Sequence, residues 1–398
     1  MRRAVVALLV IVTVGIAVSL LAARRVPTSK GPRGPQSSIS CPSGSVSIAP
    51  GQSWQSAVNA NASGTTFCIH AGTHSSVSSL APKNNDKFIG EPGAVVDGGN
   101  SIAYFINSGA DGVTVENLVI QHFKTPLQDG AIEIPHGSNW FIAYNNISYN
   151  YEVAVYWGGS GNQIRNNIMN YNGREAYACS HGDGGIMDNN EIAYNNTRNL
   201  STSFEAGGGK CGFAYTNLVV SHNWVHHNKG PGLWTDTDNK GFIYENNLVE
   251  NNTGQGIDDE VSCHTTIRYN TIRYNGNQWG WHGPMGIWLA NSANDDVYGN
   301  ILVNNGMMAV EQDRNDTPYT NCGDPNWHTR NNHFHDNTVT LSAQGQQVGI
   351  DEDNHDTGVY SGSNWFQNNH YTVPPRCSCW RWGGNDVDRS RWGTFAQD

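Results

Sequence analysis

The chain has 398 residues and a formal net charge of −11, and its first 33 residues carry six basic and no acidic side chains. The remainder holds 17 basic against 34 acidic residues, a net −17. That surplus excludes nucleic acid as a partner, because a phosphate backbone needs a basic footprint. Eight cysteines fit an oxidising compartment better than the cytosol.

Taken in chain order, Arg2 and Arg3 precede an uncharged, mostly apolar run over residues 4–23 that closes at Arg24-Arg25. Residues 1–25 read as an export signal or an uncleaved membrane anchor, and the protein as secreted or extracytoplasmic. Residues 26–40, with Gly, Pro and Ser and no apolar pattern, read as a flexible linker. Residues 41–111 form an entry cap with the first coils. Ser53 is an N-cap for a short helix over 54–61, in which Trp54, Ala57 and Val58 have helical spacing, followed by strands at 66–69, 88–90 and 94–96. Cys41 and Cys68 staple this start, and Cys179 and Cys211 close the loop between them. Cys263, Cys322, Cys377 and Cys379 leave their pairing open, and Cys377-Ser378-Cys379 lacks the second ligand pair a zinc site needs.

Over residues 112–360 the chain repeats a unit, Asn-x-apolar, at Asn117, Asn145, Asn167, Asn190, Asn223, Asn247, Asn270, Asn300 and Asn337. The spacings are 28, 22, 23, 33, 24, 23, 30 and 37 residues, a base period of 22–24 with insertions, which points to a solenoid. Short apolar runs rich in Val, Ile, Tyr and Trp favour strands over helices. Residues 361–398 break the period and, with Trp365, Trp380, Trp382 and Trp392, read as a C-terminal cap.

Most units continue to a Gly/Ala-apolar step, after which acids and aromatics align. The first position holds Glu133, Tyr156, Trp234, Asp258, Trp288, Glu311 and Asp351; two residues on lie Asp236, Glu260, Asp313 and Asp353. Alternation along a strand turns both columns outward and Ile132, Leu233, Ile257, Ile287 and Val310 inward. Wet residues between them, Trp157 and Asp259 among others, suggest that the strand bends and that Asp259 faces out. Residues 22–24 apart are then vertical neighbours, so Asp236 and Glu260 adjoin at a coil spacing of ~4.8 Å. Crowded carboxylates beside Trp234, Trp288 and Trp157 suit sugar chemistry, since C–H faces pack on rings and hydroxyls bond to acids.

The repeat resembles the right-handed parallel β-helix of pectate lyases and polygalacturonases over roughly residues 45–370. It implies an all-β, single-stranded right-handed parallel β-helix of about nine to eleven coils, with an N-terminal helical cap and a Trp-rich C-terminal cap. In such coils the recurring Asn stacks on its equivalents in a hydrogen-bonded ladder. The acids echo polygalacturonases in Thr235-Asp236, Asp258-Asp259 and His282-Gly283, but Trp234 replaces the leading Asn and the Arg-x-Lys is missing. A closer likeness is to secreted bacterial β-helix proteins with G-L-W-x-D-x-x-N followed by G-I-x-x-E-x-S, which implies Asp236, Asn239, Glu260 and Ser262 as site positions.

Three functions follow. The leading one is a polysaccharide glycoside hydrolase in which two of Asp236, Asp258, Asp259 and Glu260 serve as acid and base, with no cofactor required. Trp157, Trp234, Asn239, Ser262, Trp288, Glu311, Asp313, Glu133 and His181 line its groove. The second is a polysaccharide lyase or epimerase with Ca²⁺ held by Asp236, Asp238, Asp258 and Glu260, for which Lys240, Arg268 and Arg314 are candidate bases. The third is a non-catalytic, glycan-binding or structural β-helix. The chain is expected to be a monomer.

Overall fold

The computed structural model describes residues 31–75, 77, 79–276, 284–312, 321–323, 327–342, 346–352 and 363–396. Residues 1–30, with the signal or anchor assigned to them, lie outside it, as do Asp313, Arg314, Asp353 and His282-Gly283. The chain winds into a right-handed parallel β-helix of three sheets, A, B and C, with 13, 12 and 12 strands among the described residues. Each strand pairs with the strand one coil away, so Gln163–Arg165 lies between Phe141–Ala143 and Ile186–Asp188. Most strands are three residues long and bury the central one, and the buried residues stack into files. In sheet A, Ile142, Ile164, Met187 and Val220 form one such file.

The turns follow one rule. Tyr144, Asn166, Asn189, His222, Asn246 and Tyr269 adopt φ of 55–57°, each immediately before a repeat asparagine. A single left-handed residue folds the chain from sheet A into sheet B, and the buried asparagine after it ties the coils together. Asn223 donates to Asn247 Oδ1 from both its backbone N (2.9 Å) and its Nδ2 (3.0 Å), and its Nδ2 also reaches Met187 O at 2.9 Å. A second ladder, which the sequence reading did not separate, runs five residues further on through Asn150, Asn172, Asn195, Asn228, Asn252 and Asn275. The left-handed residues before it include Tyr149, Tyr171 and Tyr194, whose exposed rings stack at 5.2 and 4.9 Å.

The two ladders clamp sheet B from both ends, and their separation never varies. Added length falls elsewhere, between the second ladder and sheet C at 196–208 and 276–284, or after sheet C at 312–328.

The entry cap is as read: helix Trp54–Ala60 is capped by Ser53, whose side chain accepts from Ser56 N, and it buries Trp54 and Val58. At the other end, hairpin Trp380–Trp382/Asn385–Val387 and helix Arg389–Ala396 close the last coil, with Trp392 buried against Trp380 at 5.1 Å. Disulfides join Cys41–Cys68 and Cys179–Cys211 as expected, and Cys263–Cys322 and Cys377–Cys379 complete the set.

The linker differs from expectation. Residues 31–36 are not free but dock along the turns between sheets A and B. Arg33 donates to Asn189 O (3.0 Å) and His222 O (3.3 Å), and Gly34 N to Asn166 O (2.8 Å). Left-handed turns aim their carbonyls outward, and the strap satisfies them. Gly34 is at φ +73°, where a Cβ would also meet Ile168 at 2.7 Å.

Candidate active site

The outward face of sheet C carries one continuous column. In register it runs Glu133, Tyr156, Ala178, Lys210, Trp234, Asp258 and Trp288. Trp234 pairs with Asp258 and Thr235 with Asp259 across adjacent coils, so residues two dozen apart are vertical neighbours. Asp236 follows Thr235 directly and therefore lies level with Glu260.

A cleft of about 520 Å³ opens over this face. Its floor includes Glu133, Tyr156, Lys210, Asp236 and Glu260, and the segment carrying Ser203, Phe204 and Glu205 walls one side. Lys210 holds the centre. Its Nζ lies 2.7 Å from Asp236 Oδ2, donates to Phe204 O at 2.7 Å, and sits 3.9 Å over the Trp234 ring. Thr237 Oγ1 donates to Asp236 Oδ1 (2.7 Å), and Trp234 Nε1 donates to Glu260 Oε2 (3.1 Å). Two carboxylates one coil apart are thus oriented by neighbours on both coils. Lys210 was missed by sequence reading, because its coil lacks the Gly-apolar step that anchored the alignment.

At the other end of the cleft, burial pushes Glu133 up to about 8, an effect that the nearby Asp129 reinforces and Gly130 N–H partly offsets. Tyr156 hydrogen-bonds Ser180 Oγ at 2.5 Å and is also raised, chiefly by burial. Glu133 lies four coils from Trp234, roughly 19 Å at the sheet spacing, so it does not pair with Asp236. Its raised value makes it a stability group. The folded state holds a proton that the unfolded chain has released, so its contribution is complete below about 4.5 and lost as pH rises through about 8. Glu133→Gln should flatten that decline in melting temperature, and a wild-type slope left intact in the variant would contradict the assignment.

Several expected site residues lie elsewhere. Asp259 is fully buried on the inner face. Thr235 and Thr265 hydroxyls donate to its Oδ1 at 2.5 and 2.9 Å, and burial raises it to about 6 despite them. The strand does not bend there; alternation simply continues. For the same reason Trp157 enters the core, 5.9 Å from Tyr177. Asn239 is a ladder residue, accepting from Tyr215 N and donating to Cys211 O at 3.0 Å each. Ser262 is buried, and its hydroxyl donates to Glu260 O at 2.8 Å. Asp238 accepts from the backbone of Asn321 and Cys322 beside the Cys263–Cys322 bridge. Among the described residues, no three of Asp236, Asp238, Asp258 and Glu260 gather as ligands for one ion, so the expected Ca²⁺ set is not assembled.

The register explains two further corrections. Gly286 is bulged, and Ile287 pairs with Met307, not Val310. Met308 therefore takes the column position given to Glu311, and Val310 faces outward. Trp288 packs there with Met285, Ala290, Met308 and Val310 in an apolar cluster. Glu311 is buried, bonded to His328 Nδ1 and Thr329 N at 2.9 Å each. His181 is exposed at φ 51° and stacks on Phe213, which lines the cleft, at 6.3 Å.

Residues 130–306 match the family model described as "Right handed beta helix region". No curated protein matches the chain. Among solved structures it resembles the A-modules of two Azotobacter vinelandii mannuronan C-5 epimerases. For AlgE6 the identity is 15%, covering 82% of this chain and 91% of that one, with a TM-score of 0.55. For AlgE4 the figures are 14%, 83%, 94% and 0.50. A mutant of the periplasmic alginate epimerase AlgG is similar at 15% identity, 82% and 84% coverage and a TM-score of 0.50. Coils, ladders and these likenesses agree on the architecture, and the chain is a right-handed parallel β-helix protein.

Proposed function

We propose that the sheet C cleft is the active site of an extracytoplasmic enzyme acting on polysaccharide, and that its reaction is glycoside hydrolysis. The observation that carries this is Asp236 level with Glu260 in an open cleft, each oriented by a partner on the other's coil or the one before. Four disulfides suit an oxidising compartment. One coil spacing, ~4.8 Å, lies near the about 5–5.5 Å that separates the carboxyls of retaining glycosidases. Asp236, ion-paired with Lys210, attacks the anomeric carbon while Glu260 protonates the departing glycosidic oxygen. Water then cleaves the glycosyl ester and returns its proton to Glu260. The lining carries Asp129, Glu205, Asp236 and Glu260 against Lys210, which favours neutral over uronate polymers.

A second reading has one specific observation behind it. Lys210 and Tyr156 share the outward column two coils apart, and supply the cation and phenol that uronate C5 chemistry requires. Lyase or epimerase action, the latter the activity for which the alginate epimerases above are named, would use them to hold the carboxylate and move the C5 proton.

A screen of neutral and acidic polysaccharides in D₂O separates the two. Hydrolysis predicts new reducing ends on a neutral polymer, unaffected by EDTA. Unsaturated uronate, or deuterium at C5 without new reducing ends, would transfer the assignment to the second reading. Saturable binding without turnover on any polymer would remove both.

A further inference from the structure

Sheet A carries a second cluster, away from the cleft. Strands Asp296–Tyr298, His333–His335 and Trp365–Gln367 are neighbours, with Asp296 level with His333 and Tyr298 level with His335. Asp296, His333 and His335 are each half-buried, and one ligating atom from each lies within 4.8 Å of the others. His335 Nε2 is 3.0 Å from Asp296 Oδ1, and His333 Nδ1 is 3.9 Å from the same oxygen. Alternation places both imidazoles on one side of their strand, with ring centroids 4.2 Å apart.

The surroundings resemble those of a prepared ligand set. Asp336 Oδ2 sits 2.7 Å from His335 Nδ1, which fixes the ring and directs Nε2 at Asp296. A carboxylate on the far nitrogen is the usual outer partner of a metal-bound histidine. Tyr298 stacks on His335 at 4.9 Å, and Trp365 lies 5.8 Å from His333, so both rings are also held by packing. Two carboxylates face this patch, and the adjacent Arg268 guanidinium is occupied by Glu245 and the Tyr298 hydroxyl.

We propose that Asp296, His333 and His335 bind one divalent transition-metal ion of the zinc class, with water completing its coordination. Two imidazole nitrogens and one carboxylate suit Zn²⁺, Co²⁺ or Ni²⁺, and do not suit the all-oxygen preference of Ca²⁺ or Mg²⁺. Bonds of ~2.0–2.1 Å require ligand atoms to approach to about 3.3 Å of one another. The present separations reach that through side-chain torsions, with no change in the strands. The site is independent of the cleft, so it stands whether or not the hydrolase reading does.

The test uses the untagged protein, stripped with EDTA and titrated calorimetrically with Zn²⁺, with Co²⁺ absorption as a second readout. The expected result is one equivalent bound, with a higher melting temperature at saturation. His333→Ala and His335→Ala should each abolish binding while circular dichroism stays unchanged. Asp336→Asn should keep the stoichiometry and weaken affinity roughly 10–100-fold. Failure of the wild type to bind Zn²⁺ or Co²⁺ overturns the proposal. So does binding that survives both histidine variants, or a response to Ca²⁺ alone; a pair of His335 with Asp296 and Asp336 would then account for the cluster.

Discussion

Asp236→Asn and Glu260→Gln are each expected to lower turnover by roughly 10²–10⁴-fold, the range that a positioned acid or base supplies. Both substitutions preserve shape and remove only the ionisable oxygen. Asp236 would still accept from Thr237, and Glu260 would keep an amide oxygen for Trp234 Nε1. Glu260→Gln should therefore change stability little, whereas Asp236→Asn also strands the Lys210 ammonium and should lower the melting temperature. In both, the loss should fall on kcat with folding intact by circular dichroism. Asp259→Asn is the contrasting variant. Its carboxyl accepts from Thr235 and Thr265 in the interior, so it should alter stability and leave chemistry to the residues on the other face. If Asp236→Asn and Glu260→Gln both retain full rates on a polymer that the wild type degrades, the cleft is not the site of cleavage.

The second large effect is structural. Asn247 is fully buried, and its Oδ1 accepts from both Asn223 N and Asn223 Nδ2. Its own Nδ2 donates to Val220 O (2.9 Å) and Asn270 Oδ1 (3.0 Å). Asn247→Ala strands the Asn223 amide and the Val220 carbonyl in the interior, at about 1–3 kcal/mol for each unsatisfied group. The total expected loss is on the order of 3 kcal/mol or more. It should appear as a lower urea midpoint and as faster hydrogen exchange at Asn223 and its neighbours along the ladder. Asn251→Ala, at the next turn of the same coil and half-buried at a left-handed position, should lose less. Equal midpoints for wild type and Asn247→Ala would mean that the strands alone carry the stack.

What the sequence could reveal depended on whether a partner sits at a fixed spacing. The ladder from Asn145 to Asn337 was legible because one residue type recurs where geometry demands it. The level pair of Trp234 and Asp258 followed from that period. Lys210 did not, since the 33-residue step from Asn190 to Asn223 breaks the spacing and its strand, Gly209–Cys211, has no Gly-apolar marker. The register beyond Gly286 was lost because Gly306-Met307 and Ala309-Val310 both offer a small-apolar step, and only the folded chain shows that the first is the one level with Gly286-Ile287. Asp259 and Trp157 were misplaced by polarity. Whether a carboxylate can be buried depends on hydroxyls such as Thr265, which only the folded chain brings near. The strap at residues 31–36 looked free because its partners are backbone carbonyls, which every sequence possesses.

The invariant five-residue interval between the two asparagine files divides the molecule into a chassis and its bodywork. Natural change in segment length has nowhere to go except the borders of the sheet that bears Asp236 and Glu260. A designer wishing to reshape the wall above Lys210 can therefore vary the middle of the 196–208 segment and keep its two ends, whose backbone bonds to Asn172, Gly173, Arg174 and Pro231 fasten it to the winding beneath.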